Sequence, residues 1–543
     1  MGERADSDRT ICTDCTSRTH RTHRTHRTHR THRTDRGAVT RRRFLEHLGV
    51  IGGSSLVMTA MSSWELMAGQ AGVRPSLTGR PAKADVIVLG AGISGLVVAY
   101  ELNKLGYDFR ILEARDRVGG ISWTVRRGTE HTEINGEHQV CTFDDGLYIN
   151  VGPWRIPYTH TGILGYCKEL GVSMQMFVNE ADASYFYYEG AGPFANTRVR
   201  LREVKADLIG RTNELLVKAI DKRQLDLPLT AEDTQRFVSY LAGQGYLDAS
   251  DRTYKAFEAR GPGNPYALAD LLRSGFGGRM RSIAASDGTA AAPMFHPVGG
   301  MDRIPKAFER ALGARRITFN AEVRSVHQGD SGIEVIYVDT KTGKSIRTTA
   351  DYVVACLPLS VLAGVDINLS PEMMAAVRST PYSDSAKMGL AMKRRFWEED
   401  DQIFGGHLYS NLPLGEFSYP SDGYFSHKGV LLGLYAHNGI VGNEPVKARV
   451  EHVLTHASKV HPQIRQEFES AYGVWWKRVK YSQGGFATGA AAARREQLSR
   501  VDNRIVIGCA ATAPTSEPDW QEGAVSAGWQ AVTSLHNRAM RSP

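Results

Sequence analysis

The run Ala84-Asp85-Val86-Ile87-Val88-Leu89 is almost continuously apolar and predicts a buried strand. It feeds into Gly90-Ala91-Gly92-Ile93-Ser94-Gly95, after which Ile93, Leu96, Val97 and Tyr100 recur at i, i+3, i+4 and i+7, the spacing of one helix face. A second strand is predicted over Phe109-Arg110-Ile111-Leu112, ending at Glu113. From about Val199 to Arg281 the pattern is mostly helical, as at Leu215, Leu216, Ala219 and Ile220, with breaks at Gly261-Pro262-Gly263-Asn264-Pro265. Strand-like runs return over Ile317–Val323, Asp351–Cys356 and Arg504–Cys509, and a last helix is predicted from Trp520-Gln521-Glu522-Gly523-Ala524. The predicted class is therefore α/β.

Strand, glycine-rich turn and helix together predict a nucleotide cradle from Gly90, Ala91, Gly92, Ile93, Ser94 and Gly95. Gly90 permits the tight turn, Gly92 lets the backbone approach a pyrophosphate, and Gly95 lets the helix pack on the strand, leaving free N–H groups at the phosphates. Glu113 lies at the spacing of an acid that binds a ribose 2′-hydroxyl, which disfavours a 2′-phosphate.

The continuation Glu113-Ala114-Arg115-Asp116-Arg117-Val118-Gly119-Gly120 resembles the flavin-containing amine oxidases. In that family the glycine pair passes close to the FAD pyrophosphate, so the resemblance implies non-covalent FAD rather than NAD. The segment Gly152-Pro153-Trp154-Arg155-Ile156-Pro157 holds an arginine between prolines. By itself such an arginine is more often a surface salt-bridge partner. The resemblance, which is greatest to bacterial L-amino-acid oxidases with export leaders, implies instead that Arg155 clamps a substrate α-carboxylate through two parallel hydrogen bonds.

The same resemblance makes Lys387 the lysine that holds a water near the flavin, Tyr419 the tyrosine sharing the carboxylate, and Phe486 a wall of the side-chain pocket. It also implies that Trp520 is an aromatic wall and that the Asp519 carbonyl takes the substrate amine. Gly152, Pro153, Trp154, Arg155, Val323, Cys509, Trp520 and Gln521 join the cradle and Glu113, Ala114, Arg115, Gly119 and Gly120 as expected cofactor contacts. Two departures from the family pattern, Ile121 after the glycine pair and Cys509 after Gly508, remove charged contacts and imply weaker FAD retention.

At 543 residues the chain exceeds one core. Expected are a Rossmann-like FAD-binding domain (81–135, 295–378, 498–543), a discontinuous substrate domain with a mixed sheet (136–193, 379–497) and a helical insertion (194–294) supplying much of the pocket lining. The formal charge of +8 is concentrated in residues 1–43, which carry +7, so the remaining body at +1 offers no broad basic surface for nucleic acid.

Residues 18–36 repeat Arg-Thr-His, build no core and are expected to be disordered. Cys12 and Cys15 lack the second pair of a zinc site, and no metal is expected. Thr40-Arg41-Arg42-Arg43-Phe44-Leu45 ahead of Leu48–Met61 looks like a twin-arginine export signal, and that stretch is too short and polar for a membrane span. Residues 1–80 are thus expected to form a leader, with translation from near Val39 as an alternative start. Cys141, Cys167, Cys356 and Cys509 are expected to be mostly buried thiols, a disulfide among them remaining open.

The implied activity is oxidative deamination of L-amino acids to 2-oxo acids, ammonia and hydrogen peroxide, with O2 as the second substrate. The export machinery and a second copy in a homodimer are further implied partners, and the destination is periplasmic or extracellular, from a bacterial cytoplasm. Three alternatives stay open from the residues: a decarboxylating amino-acid monooxygenase, a catalytically silent flavin-binding protein and a His-rich exported metal binder.

Overall fold

The computed structural model describes residues 74–79, 81, 84–190, 192–225, 229–276, 292–488, 492–514 and 520–541. The expectations for the repeat tail, Cys12 and Cys15, the export signal and Asp519 fall outside the described residues.

Asp85–Leu89 is a strand whose residues Val86 to Leu89 are at most 1% exposed, covered on both faces as a central parallel strand must be. It belongs to a six-stranded sheet in the order Ile317–Thr318, Asp108–Leu112, Asp85–Leu89, Tyr352–Ala355, Ile505–Ile507, Val501–Asp502. The first five strands are parallel and the last is antiparallel. The helix Ile93–Lys104 connects the first two strands in sequence. The closing helix Gln521–Met540 lies against it at Gly528, where a Cβ would stand 2.9 Å from Val97 Cγ1 and 3.0 Å from the Ser94 carbonyl oxygen. The sheet and helices give the α/β class expected from the pattern.

The apolar run at 317–323 does not form one strand. It turns at Asn320, whose φ of 59° is left-handed, and Ala321–Gln328 joins a separate four-stranded sheet with Ile333–Asp339, Ser345–Ala350 and Asp366–Ile367. Hydrophobic pattern marks a strand but not the sheet that it joins.

A seven-stranded mixed sheet runs in the order Val199–Arg200, Tyr185–Tyr187, His407–Ser410, Phe417–Ser418, Gly429–Ala436, Ala386–Met392, Phe468–Trp475. Only the pairing of Tyr185–Tyr187 with His407–Ser410 is parallel. Ala386–Met392 is buried throughout, which places Lys387 inside the protein.

The helical stretch includes Leu201–Asp221 and Ala231–Gln244, the latter capped by the Thr230 hydroxyl accepting from the Asp233 N–H. Arg260 and Asp207 meet there in a buried two-pronged pair, with Nε to Oδ1 at 2.7 Å and Nη2 to Oδ2 at 2.8 Å. Cys141, Cys167, Cys356 and Cys509 are buried free thiols. No helix among the described residues is long and apolar enough to cross a membrane.

Candidate active site

The parallel strands end on one rim, and the residues that follow line a cavity of about 420 Å³: Gly90 after Leu89, Glu113 after Leu112, Cys356 after Ala355, and Cys509 just beyond Ile507. An open α/β sheet binds ligands beyond its carboxyl edge where the strand order reverses. The reversal falls at Asp85–Leu89, flanked by Asp108–Leu112 on one side and Tyr352–Ala355 on the other.

Two backbone donors hold the Glu113 carboxylate: the Ala91 N–H to Oε2 at 2.7 Å and the Arg115 N–H to Oε1 at 2.9 Å. The Gly119 N–H donates to the Ala91 carbonyl at 2.7 Å and draws the second glycine pair over the first. Gly120 adopts φ +56°, and a Cβ on it would stand 3.3 Å from Gly92 Cα. A Cβ on Gly95 would lie 2.0 Å from the Gly90 carbonyl oxygen, so only glycine permits that approach of helix to turn.

Ala91 and Gly95 therefore shape the cradle from behind. Gly90, Gly92, Ile93, Ser94, Glu113, Ala114, Arg115, Gly119, Gly120, Val323 and Cys509 line the cavity itself. Burial pushes the Cys509 thiol up to about 11, leaving it neutral at the position where the sequence departs from the acid of the family pattern. At the far end Gln521 opens the closing helix, its Nε2 donating to Ser122 Oγ at 3.0 Å, while its buried Oε1 has no partner among the described residues. A cradle of glycines, a fixed acid at one end and an unfilled buried amide oxygen at the other suit a dinucleotide carrying a hydrogen-bonding ring.

A second cavity of about 260 Å³ adjoins the first, and Ile121, Pro153, Gly485, Phe486, Trp520 and Gln521 line both. Gly152, Trp154, Arg155, His160, Ser385, Lys387, Glu416, Tyr435 and His437 are among its other walls. Gly152 is required where the chain passes Ile121, because a Cβ would stand 1.7 Å from the Ile121 carbonyl oxygen. The following residues present the Arg155 guanidinium 5.0 Å from the Trp154 ring and 5.9 Å from the Trp520 ring.

Lys387 donates to the Gly152 carbonyl at 2.5 Å, and its ammonium lies 4.1 Å from the Tyr435 ring centroid. The two residues are direct cross-strand partners. Burial, with the Arg155 charge nearby and against the opposing pull of Glu416, lowers Lys387 to about 7.

Tyr419 is not brought to this cavity. It is fully buried in the core of the mixed sheet, its hydroxyl 2.8 Å from His461 Nε2, and His461 Nδ1 lies 3.0 Å from Asp401 Oδ2. Side chains alternate across a strand, so Ser418, paired with His407, faces away from Phe417 and Tyr419, whose rings meet edge to face at 5.6 Å. Tyr435 stands in the cavity instead. Its apolar strand Gly-Val-Leu-Leu-Gly-Leu-Tyr-Ala reads as plain core, and the only local signal is the change to His437-Asn438 at its end.

Glu416, His160 and His437 also went unread in the sequence. None of the described residues between 194 and 294 lines the smaller cavity, contrary to the expectation for the helical insertion. Its walls come from turns and strand ends around the mixed sheet and from the start of the closing helix.

An α/β sheet with a dinucleotide cavity opening onto a pocket of arginine, buried lysine and aromatic rings defines a redox enzyme of the cofactor-binding kind. The model of the flavin containing amine oxidoreductases matches residues 93–536, and the chain belongs to that family. Its cofactor is FAD. The chain is 26% identical over 447 residues to the L-amino acid oxidase bordonein-L of Crotalus durissus terrificus, covering 76% of this chain and 79% of that protein. It is 27% identical over 485 residues to an L-amino-acid oxidase of Demansia vestigiata, covering 84% and 87%. Among solved structures, wild-type putrescine oxidase bound to putrescine superposes with a TM-score of 0.57 at 20% identity, covering 84% of this chain and 99% of that one, a likeness of fold.

Proposed function

We propose that the enzyme oxidises L-amino acids to 2-oxo acids and ammonia while reducing O2 to hydrogen peroxide. The observation that carries this reading is the Arg155 guanidinium standing in the smaller cavity, which shares a wall with the cofactor cavity. When bound, FAD would supply the hydride acceptor and the redox link to O2.

The chain's part is positioning. Arg155 takes the α-carboxylate with the Tyr435 hydroxyl beside it, which turns a bimolecular encounter into an oriented one. Trp520 and Phe486, common to both cavities, confine the substrate and exclude water. Lys387, held on the Gly152 carbonyl and titrating near neutrality, exchanges a proton at its Nζ during turnover. The Asp519 carbonyl remains the proposed acceptor for the substrate amine. Gly90 to Gly95, Glu113, Arg115, Gly119, Gly120, Val323, Cys509 and Gln521 hold FAD without a covalent bond.

We read Thr40–Leu45 as a twin-arginine signal that takes the protein out of the cytoplasm, which a fusion of residues 1–80 to a reporter would test. For the activity, the FAD-loaded enzyme is given the twenty L-amino acids, and peroxide, ammonia, oxo acid, amide and CO2 are measured together. Peroxide and ammonia in equal amounts support the proposal; amide and CO2 in place of oxo acid would make the enzyme a decarboxylating monooxygenase, and no turnover of any amino acid would end the reading.

A further inference from the structure

Among the described residues the smaller cavity contains one carboxylate, Glu416, whose position the proposed reaction does not use. Glu416 Oε2 is buried and accepts no hydrogen bond among the described residues. The nearest cation among the described residues is Arg155 Nη1 at 3.6 Å, beyond hydrogen-bond reach, and Arg155 Nε is likewise without a partner among those residues.

A closed ion pair in this protein looks different. Arg449 grips Glu133 at 2.6 and 2.8 Å, and Arg260 grips Asp207 at 2.7 and 2.8 Å. Arg155 and Glu416 are thus neighbours with unfilled capacity on both sides, as two halves of a zwitterion site would be.

The backbone sets the carboxylate in place. The Glu416 N–H donates to the Tyr435 carbonyl at 2.8 Å, and the preceding Gly415 has φ +66° with no room for a Cβ, which would lie 2.0 Å from that same oxygen. Although burial works against the charge, Arg155, His407, Lys387 and His437 hold Glu416 below the usual carboxylate range. A substrate carboxylate on Arg155 would leave one guanidinium facing two anions, and a second cation on the substrate restores the balance. The α-amino group does not serve, because Cα and its nitrogen must face the wall shared with the cofactor cavity, and Glu416 is not part of that wall.

We infer that Glu416 binds a cationic substrate side chain, making this enzyme selective for basic L-amino acids such as lysine, ornithine and arginine. The inference rests on amino-acid oxidation as proposed above. L-norleucine matches the lysine side chain without its terminal ammonium and serves as the control.

The test measures kcat/KM of the FAD-loaded full chain on L-lysine, L-arginine and L-norleucine, for wild type and Glu416→Gln, with flavin absorbance as the check on folding. Wild type should favour lysine over norleucine, and Glu416→Gln should lower the lysine-to-norleucine ratio by about 10- to 100-fold, the loss expected for one charge-assisted hydrogen bond. An equal fall on all three substrates, or a wild type that prefers norleucine, would overturn the inference while leaving amino-acid oxidation intact. Should Glu416→Gln fail to fold, the wild-type ratio alone decides. A wild type that oxidises no amino acid would instead remove the underlying reading.

Discussion

Arg155 and Lys387 are two cations in one small cavity, and each behaves according to what surrounds it. On the role proposed for Arg155, the substrate carboxylate would lose its charged partner in Arg155→Met, a change expected to cost about 2–5 kcal/mol, or about 30- to 4,000-fold in kcat/KM. The loss should appear with amino acids and shrink with the corresponding amines, while flavin content stays as in wild type because Arg155 is not among the described residues that line the cofactor cavity. Lys387 is held near 7 by burial and by Arg155, so an activity–pH profile should show a limb with an apparent pKa near 7 that is absent from Lys387→Met. Stability follows the same shift: between about 7 and the ordinary lysine value of 10.5 the unfolded chain binds more protons than the folded one. Wild-type stability therefore gains with rising pH across that window, and the Tm difference between wild type and Lys387→Met should rise with it. The two tyrosines separate cleanly. Tyr435→Phe should lower kcat/KM by about 10- to 100-fold through one lost bond to a charged group. Tyr419→Phe should spare kcat/KM and cost about 1 kcal/mol of stability through its lost bond to His461.

At the scale of elements, glycines decide how closely segments approach, and two of them separate cofactor from substrate. Gly95→Ala would press its Cβ onto the Gly90 carbonyl and lift the helix Ile93–Lys104 from the turn, so purified protein should carry less FAD and melt at lower temperature. Gly415→Ala combines a left-handed backbone, about 1–3 kcal/mol for a non-glycine residue, with a clash against the Tyr435 carbonyl. It disturbs Glu416 and the end of Gly429–Ala436, so kcat/KM should fall more than flavin content. Flavin absorbance per mole of protein, read beside kcat/KM, distinguishes the two outcomes.

Over the whole molecule, the cofactor sheet is assembled from strands at 85–112, 317–355 and 501–507, and the mixed sheet takes strands between 185 and 475. Ligand that binds only the folded chain stabilises it by mass action, so added FAD should raise Tm in a concentration-dependent way. Acid precipitation should release all the yellow colour, and flavin left in the pellet would contradict non-covalent binding. Every described residue lining either cavity lies between Gly90 and Ala524. A chain lacking residues 1–73 should accordingly keep its flavin content and kcat/KM.

The nucleotide half of the site was legible in the sequence because its residues are neighbours in the chain: strand, glycines, helix and Glu113 fall within one short stretch, and backbone geometry ties those residue types to their task. Arg155 and Lys387 could be named through family likeness, since each lies in a short distinctive segment. Tyr435, Glu416 and the position of Tyr419 could not. Tyr435 faces Lys387 only through the register of two strands far apart in sequence, and a shift of one residue along a strand reverses the face on which a side chain lies. Glu416 enters the cavity because Gly415 allows a left-handed turn against the Tyr435 carbonyl, a contact that no local pattern encodes. The sequence by itself thus determined the glycine turn and the acid that line the larger cavity, while strand pairing across the mixed sheet decided which charged side chains line the smaller one, because register is a property of two segments at once.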